Sequence, residues 1–534
     1  MKMKTLVPLL CVWPVLSGSF SFAQDNPPTE IEKLKAVLVE QQRQIESLRQ
    51  AVAEQQKMLE SLAKPAAAPR PVIASTTPMA IPGAPAGPGP RMEAPLPQAD
   101  IPSPLQLKVG DVSIIPVGFM DLTAVWRDKN AASGIGTNFA AVPFGNVAAG
   151  HLTEFRFSPQ NSRLGFRADA DVHGAHVIGY NEFDFLGTSG SNNLGVTNGA
   201  FVPRLRLYWV DVRKDQFEFL AGQSWSMLVP NRKGLSALPG DLFYSQVMDV
   251  NYLAGLTWTR QPGVRFLYHP SQTVTMGVSL ENPNQYIGGS AGGPVVTLPS
   301  ALGSLAGGQF DNSSNVLNTP NLHPDIIAKI AFDPSSRAHI EIAGIERTFK
   351  DVNPINFQTF TKVGGGGSAN FNFEIAKGVR LFSNNHWGDG TGRYLFGTAP
   401  DLIVRSNGSI SPIHVHGHNG GIEATKKNTL LFFYYGGAYV APNTALDANG
   451  TSLVGYGFRG SPNNHNRSME ELTLGFIQTF WKDARWGALS YIMQYQFEQR
   501  NPWYIAAGQP SGAHDNTIYM NLRYTLPGAP PPAK

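Results

Sequence analysis

The sequence contains a single cysteine and no interior run of about 18 or more apolar residues. The cysteine, Cys11, lies in an N-terminal export signal described below, so we expect a mature chain without disulfides. Without a long apolar run, any version of this chain that spans a membrane would have to cross it as strands. The formal net charge of +3 over 534 residues is too small to indicate nucleic-acid binding.

Residues 1–23 have the three parts of a secretory signal peptide. Lys2 and Lys4 precede an apolar run from Leu6 to Phe20, and Ser21-Phe22-Ala23 forms a small-x-small cleavage site. We predict cleavage after Ala23. Two leucines precede Cys11, whereas a lipoprotein cleavage site has small residues there.

Residues 24–64 are predicted to form an α-helical coiled coil in the periplasm. From Thr29 to Lys64 the sequence lacks glycine, and two sets of residues alternate at three- and four-residue steps over about five heptads. The first set is Ile31, Leu38, Ile45, Val52 and Leu59, and the second is Leu34, Gln41, Leu48, Gln55 and Leu62. A single amphipathic helix packed on a domain is the alternative. A coiled coil implies an oligomer, and the segment could also contact peptidoglycan.

The rest of the chain divides into a linker, a strand-rich region and a tail. Residues 65–108 are rich in proline and alanine and are expected to be extended. Residues 109–526 alternate apolar and polar side chains with the period of two that is typical of strands. In "LSYIMQYQFEQ", Leu489, Tyr491 and Met493 share one face, and Ser490 and Gln494 lie on the other. Residues 527–534 form a proline-rich tail.

The strand-rich region predicts an all-β fold, a 16-stranded antiparallel transmembrane β-barrel. About 16 strands are joined alternately by short turns and by long loops rich in glycine and asparagine, which is the pattern of an outer-membrane barrel. The predicted strands are 117–126, 152–171, 175–185, 203–212, 217–225, 257–269, 273–281, 325–332, 338–348, 369–376, 379–386, 413–425, 428–439, 470–480, 485–498 and 516–525. Aromatic residues near strand ends are expected to form girdles at the two membrane interfaces. They are Trp126, Tyr208, Trp209, Trp258, Tyr268, Tyr434, Tyr435, Trp481 and Tyr524.

The polar parity of these strands is predicted to face a water-filled lumen, because about 16 strands enclose a channel. Arginines recur on this parity, and a row of arginines in a pore attracts anions. The candidate pore-lining residues are Arg163, Arg167, Arg204, Arg206, Arg265 and Arg347. The alternative is that these arginines pair with neighbouring lumen acids, among them Asp169 and Asp171, and only order the wall.

The long connection from Ser226 to Tyr252 is a candidate constriction loop. It combines apolar residues with Arg232, Lys233, Asp241 and Tyr244, so it could fold into the lumen and narrow it. The alternative is an extracellular loop that packs on a neighbouring subunit.

Several stretches resemble the DcaP-like trimeric outer-membrane porins. They are "NSRLGFRAD", "LRLYWVDV…FEFLAGQSWS", "TRQPGVRFLY" and "VSLENPNQY". The resemblance implies a homotrimer of 16-stranded barrels in outer-membrane lipid that lets small, often dianionic, organic acids diffuse. The family's basic pore lining would map onto Arg163, Arg167, Arg204, Arg206 and Arg265. The chain departs from the usual C-terminal aromatic residue of such barrels, because "PGAPPPAK" follows Leu526.

Two other functions are compatible with parts of the sequence. His414, His416 and His418 in "HVHGH" share one strand face, but a strand spaces alternate residues about 7 Å apart, too far for all three to bind one metal. No phosphate-loop motif is present, and we predict neither an enzyme nor a cofactor. A trimeric adhesin, or a cell-wall tether with a structural barrel, is the other alternative; an adhesin would use fewer strands per chain.

Overall fold

The computed structural model describes residue 46 and residues 103–131, 134–187, 201–238, 253–289, 295–313 and 319–527. The predicted signal peptide and C-terminal tail lie outside these ranges, apart from Pro527, as does almost all of the predicted coiled coil and linker. In the described part of the chain, no helix is both long and apolar enough to span a membrane.

Most of the described strands pair antiparallel with the strands that precede and follow them in the sequence. The strands are β1 (Leu107–Val109), β2 (Val112–Arg127), β3 (Glu154–Ser158), β4 (Arg163–Val172), β5 (Ala175–Gly187), β6 (Val202–Lys214), β7 (Phe217–Trp225), β8 (Arg260–Tyr268), β9 (Val274–Glu281), β10 (Asp325–Ser335), β11 (Ala338–Val352), β12 (Thr359–Ala376), β13 (Val379–Asp389), β14 (Leu402–Val404), β15 (Ile410–Pro412), β16 (His414–Lys426), β17 (Thr429–Val440), β18 (Asn443–Leu446), β19 (Leu453–Tyr456), β20 (Asn466–Asp483), β21 (Gly487–Pro502) and β22 (Ala513–Thr525). Short 3-10 helices occur in the loops at Phe139–Ala141, Ala148–His151, Ser300–Leu305 and Gly392–Tyr394.

The main sheet closes on itself at β2. One edge of β2 pairs with β22, from Phe119 opposite Thr525 to Arg127 opposite Thr517, and its other edge pairs with β3 and β4. The strands β3 and β4 are two parts of one wall strand, and β1 adds only a short hairpin to β2. The wall therefore has 16 strands, and the prediction of an all-β, closed, antiparallel barrel is confirmed.

Alternation along the strands separates the two faces of the wall as predicted. In β4, Leu164 and Phe166 point outward and are 47% and 43% exposed, whereas Arg163 and Arg167 lie on the inner parity. Because successive side chains of a strand point to opposite faces, this division follows from the sequence period alone.

Two predicted strand boundaries are wrong. The predicted gap between residues 348 and 369 is mostly strand, since β11 runs to Val352 and β12 begins at Thr359. The glycines that suggested a loop pair along β12, where a Cβ on Gly366 would meet the backbone of Trp387 and Gly388 on β13. The predicted strand 152–171 is instead interrupted at 159–162, because Pro159 has no backbone N–H to donate to a neighbouring strand.

Long loops between the wall strands fold into a structure with its own apolar core. We call this the loop cap and define it as residues 285–289, 295–310, 392–413 and 443–465, which include the hairpins β14–β15 and β18–β19. Phe310, Leu402 and Tyr456 are almost completely buried in it. The same cluster includes Val415 and Met469 of the wall, so the cap is packed onto the barrel.

Candidate pore lining

Three of the predicted arginines meet on the inner face of β4 to β6, in what we call the arginine cluster. Arg206 contacts Glu182 and Asp184 at 2.6 Å each, and Arg204 contacts Asp184 at 2.6 Å. Arg163 lies 3.6 Å from Glu182. Three guanidinium groups thus surround two carboxylates, and Arg204, with 39% of its side chain exposed, is the most accessible of the three.

A β-bulge on β6 determines which of its side chains point into this cluster. Glu182 pairs with Leu207 and the next residue, Phe183, pairs with Leu205, so Arg206 is the extra residue on β6. The bulge lets both Arg206 and Leu207 be buried on the inner side, although neighbouring residues normally alternate. The sequence pattern gives no sign of this bulge.

Arg167 lies on the same inner face but has its own partner. Its guanidinium donates to Asp169 at 2.7 and 2.8 Å, and 26% of its side chain is exposed. His176 bridges Asp169 and Asp171, at 3.2 and 3.0 Å. The alternative interpretation, in which lumen acids pair with these arginines, therefore describes Arg167, and it also describes the arginine cluster, whose partners are Glu182 and Asp184.

Arg265 and Arg347 lie apart from the cluster and are buried. Arg265 is 3% exposed and donates to the carbonyl oxygen of Trp225 at 2.6 Å. Arg347 is 0% exposed and contacts Asp325 and Asp401 at 3.0 and 2.9 Å. Neither side chain has the accessible surface that a pore-lining residue requires.

The arginine-rich side of the wall is close to electrically neutral. Six arginines and six carboxylates lie on the inner parity of β4 to β8, and Arg260, whose guanidinium packs over the ring of the buried Trp225, adds a seventh arginine at the start of β8. The arginines are Arg163, Arg167, Arg204, Arg206, Arg213 and Arg265, and the carboxylates are Asp169, Asp171, Glu182, Asp184, Asp211 and Glu218. Any attraction for anions must therefore be local, at positions such as the arginine cluster.

The first part of the candidate constriction loop, residues 226–238, lies inside the barrel. Arg232 contacts Glu423 of β16 at 2.6 Å, and the backbone N–H of Asn231 donates to Glu341 of β11 at 3.2 Å. Lys329 of β10 donates to the carbonyl oxygen of Val229 at 2.8 Å. Lys233 is exposed, whereas Asp241 and Tyr244 lie outside the described residues.

Apolar contacts hold the same segment against the inner wall. Met227, Leu228 and Leu235 are buried against inward residues of β8, β10 and β11. A second cluster joins Val229, Ala237 and other loop residues to both sides of the lumen. Its wall members include Ile178, Tyr180, Leu207, Trp209, Leu220, Phe382, Phe432 and Tyr434. The inner face therefore carries both polar and apolar side chains, whereas the sequence predicted a uniformly polar inner face.

Three residues assigned to the aromatic girdles belong to this second cluster instead. Trp209, Trp258 and Tyr434 are 6%, 1% and 0% exposed, so their assignment to the membrane interface is wrong. The stretch "LYWV" contained a signal, because Leu207 and Trp209 share the inner parity while Tyr208 and Val210 occupy the outer one. Apolar residues on both parities indicate a strand that is covered on both faces.

A buried network that the sequence did not reveal joins the loop cap to the wall. Asp325 of β10 binds Arg347 of β11 and Arg393 of the cap, at 3.0 and 2.8 Å. Burial raises the pKa of Asp401, against the opposing effects of Arg347 and Arg393. These residues come from distant parts of the chain, so no local spacing predicts their meeting.

The histidines of "HVHGH" share one outward face of the wall. His414, His416 and His418 lie on the outer parity of β16, since Val415 and Asn419 are buried on the inner one. In the ranges that the structure describes, no group of three or more His, Cys, Asp or Glu residues is arranged to hold a metal ion.

The chain has the fold of a known outer-membrane channel. It is similar to the DcaP outer membrane channel of Acinetobacter baumannii, with a TM-score of 0.56 and 16% identity over 78% of this chain and 98% of that one. This confirms the expected likeness in fold to the DcaP-like porins. OmpF of Salmonella typhi and OmpT of Vibrio cholerae are each 10% identical over 79% of this chain and 99% of theirs, with TM-scores of 0.43 and 0.40. No protein-family model and no curated protein matches the chain.

Proposed function

We propose that this protein is a bacterial outer-membrane porin through which small hydrophilic solutes diffuse. The observation that carries the proposal is a closed 16-stranded wall whose outward residues are largely apolar and whose inner face holds most of the charged side chains. Backbone groups in lipid must be paired, which closure achieves, and a barrel of this size can hold water.

The finer part of the proposal is a preference for small organic anions such as dicarboxylates. The arginine cluster supports it, because three guanidinium groups share two carboxylates and one positive charge is left in excess. The near balance of seven arginines and six acids on β4 to β8 limits the expected preference to a modest one. Residues 226–252 would narrow the passage, and the exposed Lys233 would add a positive charge there.

The assembly belongs to the same proposal. The heptads of residues 24–64 would hold three copies together in the periplasm, with a contact to peptidoglycan as a further role for that segment. A barrel formed by one chain argues against the adhesin alternative, in which each chain would supply fewer strands.

Reversal potentials in planar bilayers under a salt gradient test the function. We expect discrete conductance steps and a reversal potential displaced toward anion preference. Arg204→Gln should reduce that displacement, because it removes the most accessible charge of the cluster. The matched control is Arg156→Gln, since Arg156 on β3 is similarly exposed but lies outside the cluster. Absence of conductance contradicts the porin, and cation preference contradicts the anion path.

A further inference from the structure

The short turns at one end of the barrel divide into a nearly neutral group and a strongly basic group. The first group joins β4 to β5, β6 to β7 and β8 to β9, and the second joins β10 to β11, β12 to β13, β16 to β17 and β20 to β21. The exposed charged residues at and beside the first three turns are Asp171, Lys214 and Asp215. Those at and beside the last four are Arg337, Lys377, Lys426, Lys427, Lys482, Asp483 and Arg485. One side of this end therefore has six exposed cations and one exposed acid, whereas the other has one cation and two acids.

The basic side does not neutralise its own charges. We call it the basic rim and define it as Arg337, Lys377, Lys426, Lys427 and Arg485. Within the described ranges, none of these five side chains forms an ion pair. The carboxylates nearest to them in the sequence accept backbone N–H groups instead, Asp483 from Arg485 at 2.7 Å and Glu374 from Gly378 at 2.8 Å. The basic rim therefore presents its charge to whatever lies outside the chain.

Aromatic side chains beside the basic rim indicate the depth at which it lies in a membrane. Trp481 and Trp486, at the turn between β20 and β21, are 40% and 62% exposed, and the ring of Trp481 lies 6.1 Å from that of Tyr524. Exposed Trp and Tyr residues gather where acyl chains meet headgroups. The guanidinium group of Arg485 lies 5.1 Å from the centre of the Trp486 ring. The cations of the basic rim are therefore at the level of lipid headgroups.

The shape of the basic rim favours a charged surface over a single small ligand. Its turns belong to strands that are consecutive neighbours in the wall, from β10 to β21. Neighbouring turns are two strands apart, which is roughly 10 Å. Such an open arc does not enclose one small anion, but it matches negative charges repeated in the plane of a membrane. Lys and Arg residues close to a membrane surface are attracted to acidic headgroups in this way.

We infer that the basic rim binds the phosphate groups of acidic phospholipids, such as phosphatidylglycerol, on the side of the short turns. The inference rests on the proposed outer-membrane porin, whose short turns face the periplasm and the phospholipid leaflet there. Peptidoglycan also carries carboxylates, but it lies beyond the membrane surface. Turns of two or three residues, such as those of the basic rim, end at that surface. One half of the barrel thus gathers acidic lipid, and the half with Asp171 and Asp215 does not.

Lipid retention tests this inference. The full-length protein is reconstituted in vesicles of phosphatidylglycerol and phosphatidylethanolamine in equal amounts and extracted in mild detergent, and the lipids that remain bound are counted by native mass spectrometry. We expect an excess of phosphatidylglycerol, and the double variant Lys426→Gln with Lys427→Gln should lower that excess by roughly fivefold for each cation removed. The double variant Lys426→Arg with Lys427→Arg keeps both charges and should keep the excess. Lys214→Gln is the matched control, since Lys214 is exposed in a turn that also holds Asp215.

Three results would overturn the inference. They are equal retention of the two lipids by the unaltered protein, an equal loss of phosphatidylglycerol in Lys214→Gln, and an unchanged excess after both glutamine substitutions. Co-sedimentation with purified peptidoglycan that the glutamine variant abolishes, without any lipid excess, would assign the basic rim to the cell wall instead. Conductance is recorded separately on the same samples, so a barrel that retains phosphatidylglycerol without conducting refutes the porin and leaves the lipid site standing.

Discussion

The polar side chains of the arginine cluster inside the barrel are paired differently from the outward polar residues Asn385, His416 and His418 on β13 and β16. Inside, Arg204, Arg206 and Asp184 are held in short ion pairs. Outside, in the band that faces lipid or protein, the imidazoles of His416 and His418 have no hydrogen-bond partner in the described part of the chain. The fold of one chain therefore pairs the charged groups of the inner cluster, whereas its described residues leave these two outward imidazoles without a hydrogen bond.

The largest effect is expected at the inner cluster. Asp184→Asn leaves Arg204 and Arg206 without their shared carboxylate, and because the side chain of Asp184 is 0% exposed we expect a loss of about 3–5 kcal/mol in the free energy of unfolding. Denaturant unfolding of the barrel in detergent micelles measures it. Asp171→Asn is the control, since 65% of that side chain is exposed and its loss should be within about 0.5 kcal/mol. Equal losses for the two variants would show that the cluster does not stabilise the wall.

The second test places a charge on the apolar outer wall. Ile330→Lys on β10 should lower the free energy of unfolding in lipid bilayers by about 2–4 kcal/mol, because the outward residues Met276, Val278, Leu280 and Ile330 mark this sector as facing acyl chains. Ile330→Leu keeps the apolar surface and serves as the control. An unchanged unfolding free energy for Ile330→Lys would mean that β10 does not face lipid.

The third prediction concerns His465, a buried histidine of the loop cap that lies outside the barrel wall. The Nδ1 atom of His465 accepts the Gly457 N–H at 3.1 Å and its Nε2 atom lies 3.2 Å from the Val295 carbonyl oxygen, an arrangement that suits the neutral ring. Burial lowers the pKa of His465 to about 4. The unfolded cap therefore binds more protons than the folded cap between pH ~6.5 and ~4, and the stability of the cap should fall by up to about 3 kcal/mol as the pH is lowered through that window.

Hydrogen exchange of residues 295–310 and 453–465 at pH 7 and pH 4.5 measures this loss. His465→Gln, which cannot take up a proton in this range, should remove most of the pH dependence. Replacement of the exposed His151 by glutamine should leave it unchanged. A pH dependence that survives in His465→Gln would assign the effect to other groups of the cap.

The smallest effect is expected at Ser383 on the outer face of β13. Ser383→Ala should change the unfolding free energy of detergent-dispersed monomer by no more than about 0.5 kcal/mol, because Ser383 contributes only an acceptor to Asn385. A larger loss would show that Ser383 makes stabilising contacts other than the one with Asn385.

Residues 203–213 show how far the sequence alone could be interpreted. Strict alternation places Arg204, Tyr208 and Val210 on one face and Leu205 and Asp211 on the other. In the structure the bulge at Arg206 reverses the faces, so that Tyr208 and Val210 point outward like Leu205, and Asp211 points inward like Arg204. The bulge at Arg206 and the burial of Trp209 were not predictable, because the first depends on the register against β5 and the second on a loop that returns to cover the inner face. The two-residue period of a strand predicts the face on which each side chain lies, but not which residues pack against that face.

The sequence by itself determined the strand period, the number of wall strands and the separation of Leu164 and Phe166 from Arg163 and Arg167. These follow from local geometry, since consecutive residues of a strand face opposite ways. Only the tertiary structure decided which arginines share carboxylates, that residues 226–238 enter the lumen, and that the loops build a cap with a core of its own. Those outcomes depend on contacts between residues far apart in the chain, such as Arg232 with Glu423 and Arg347 with Asp401, which burial and charge pairing select only once the barrel has closed.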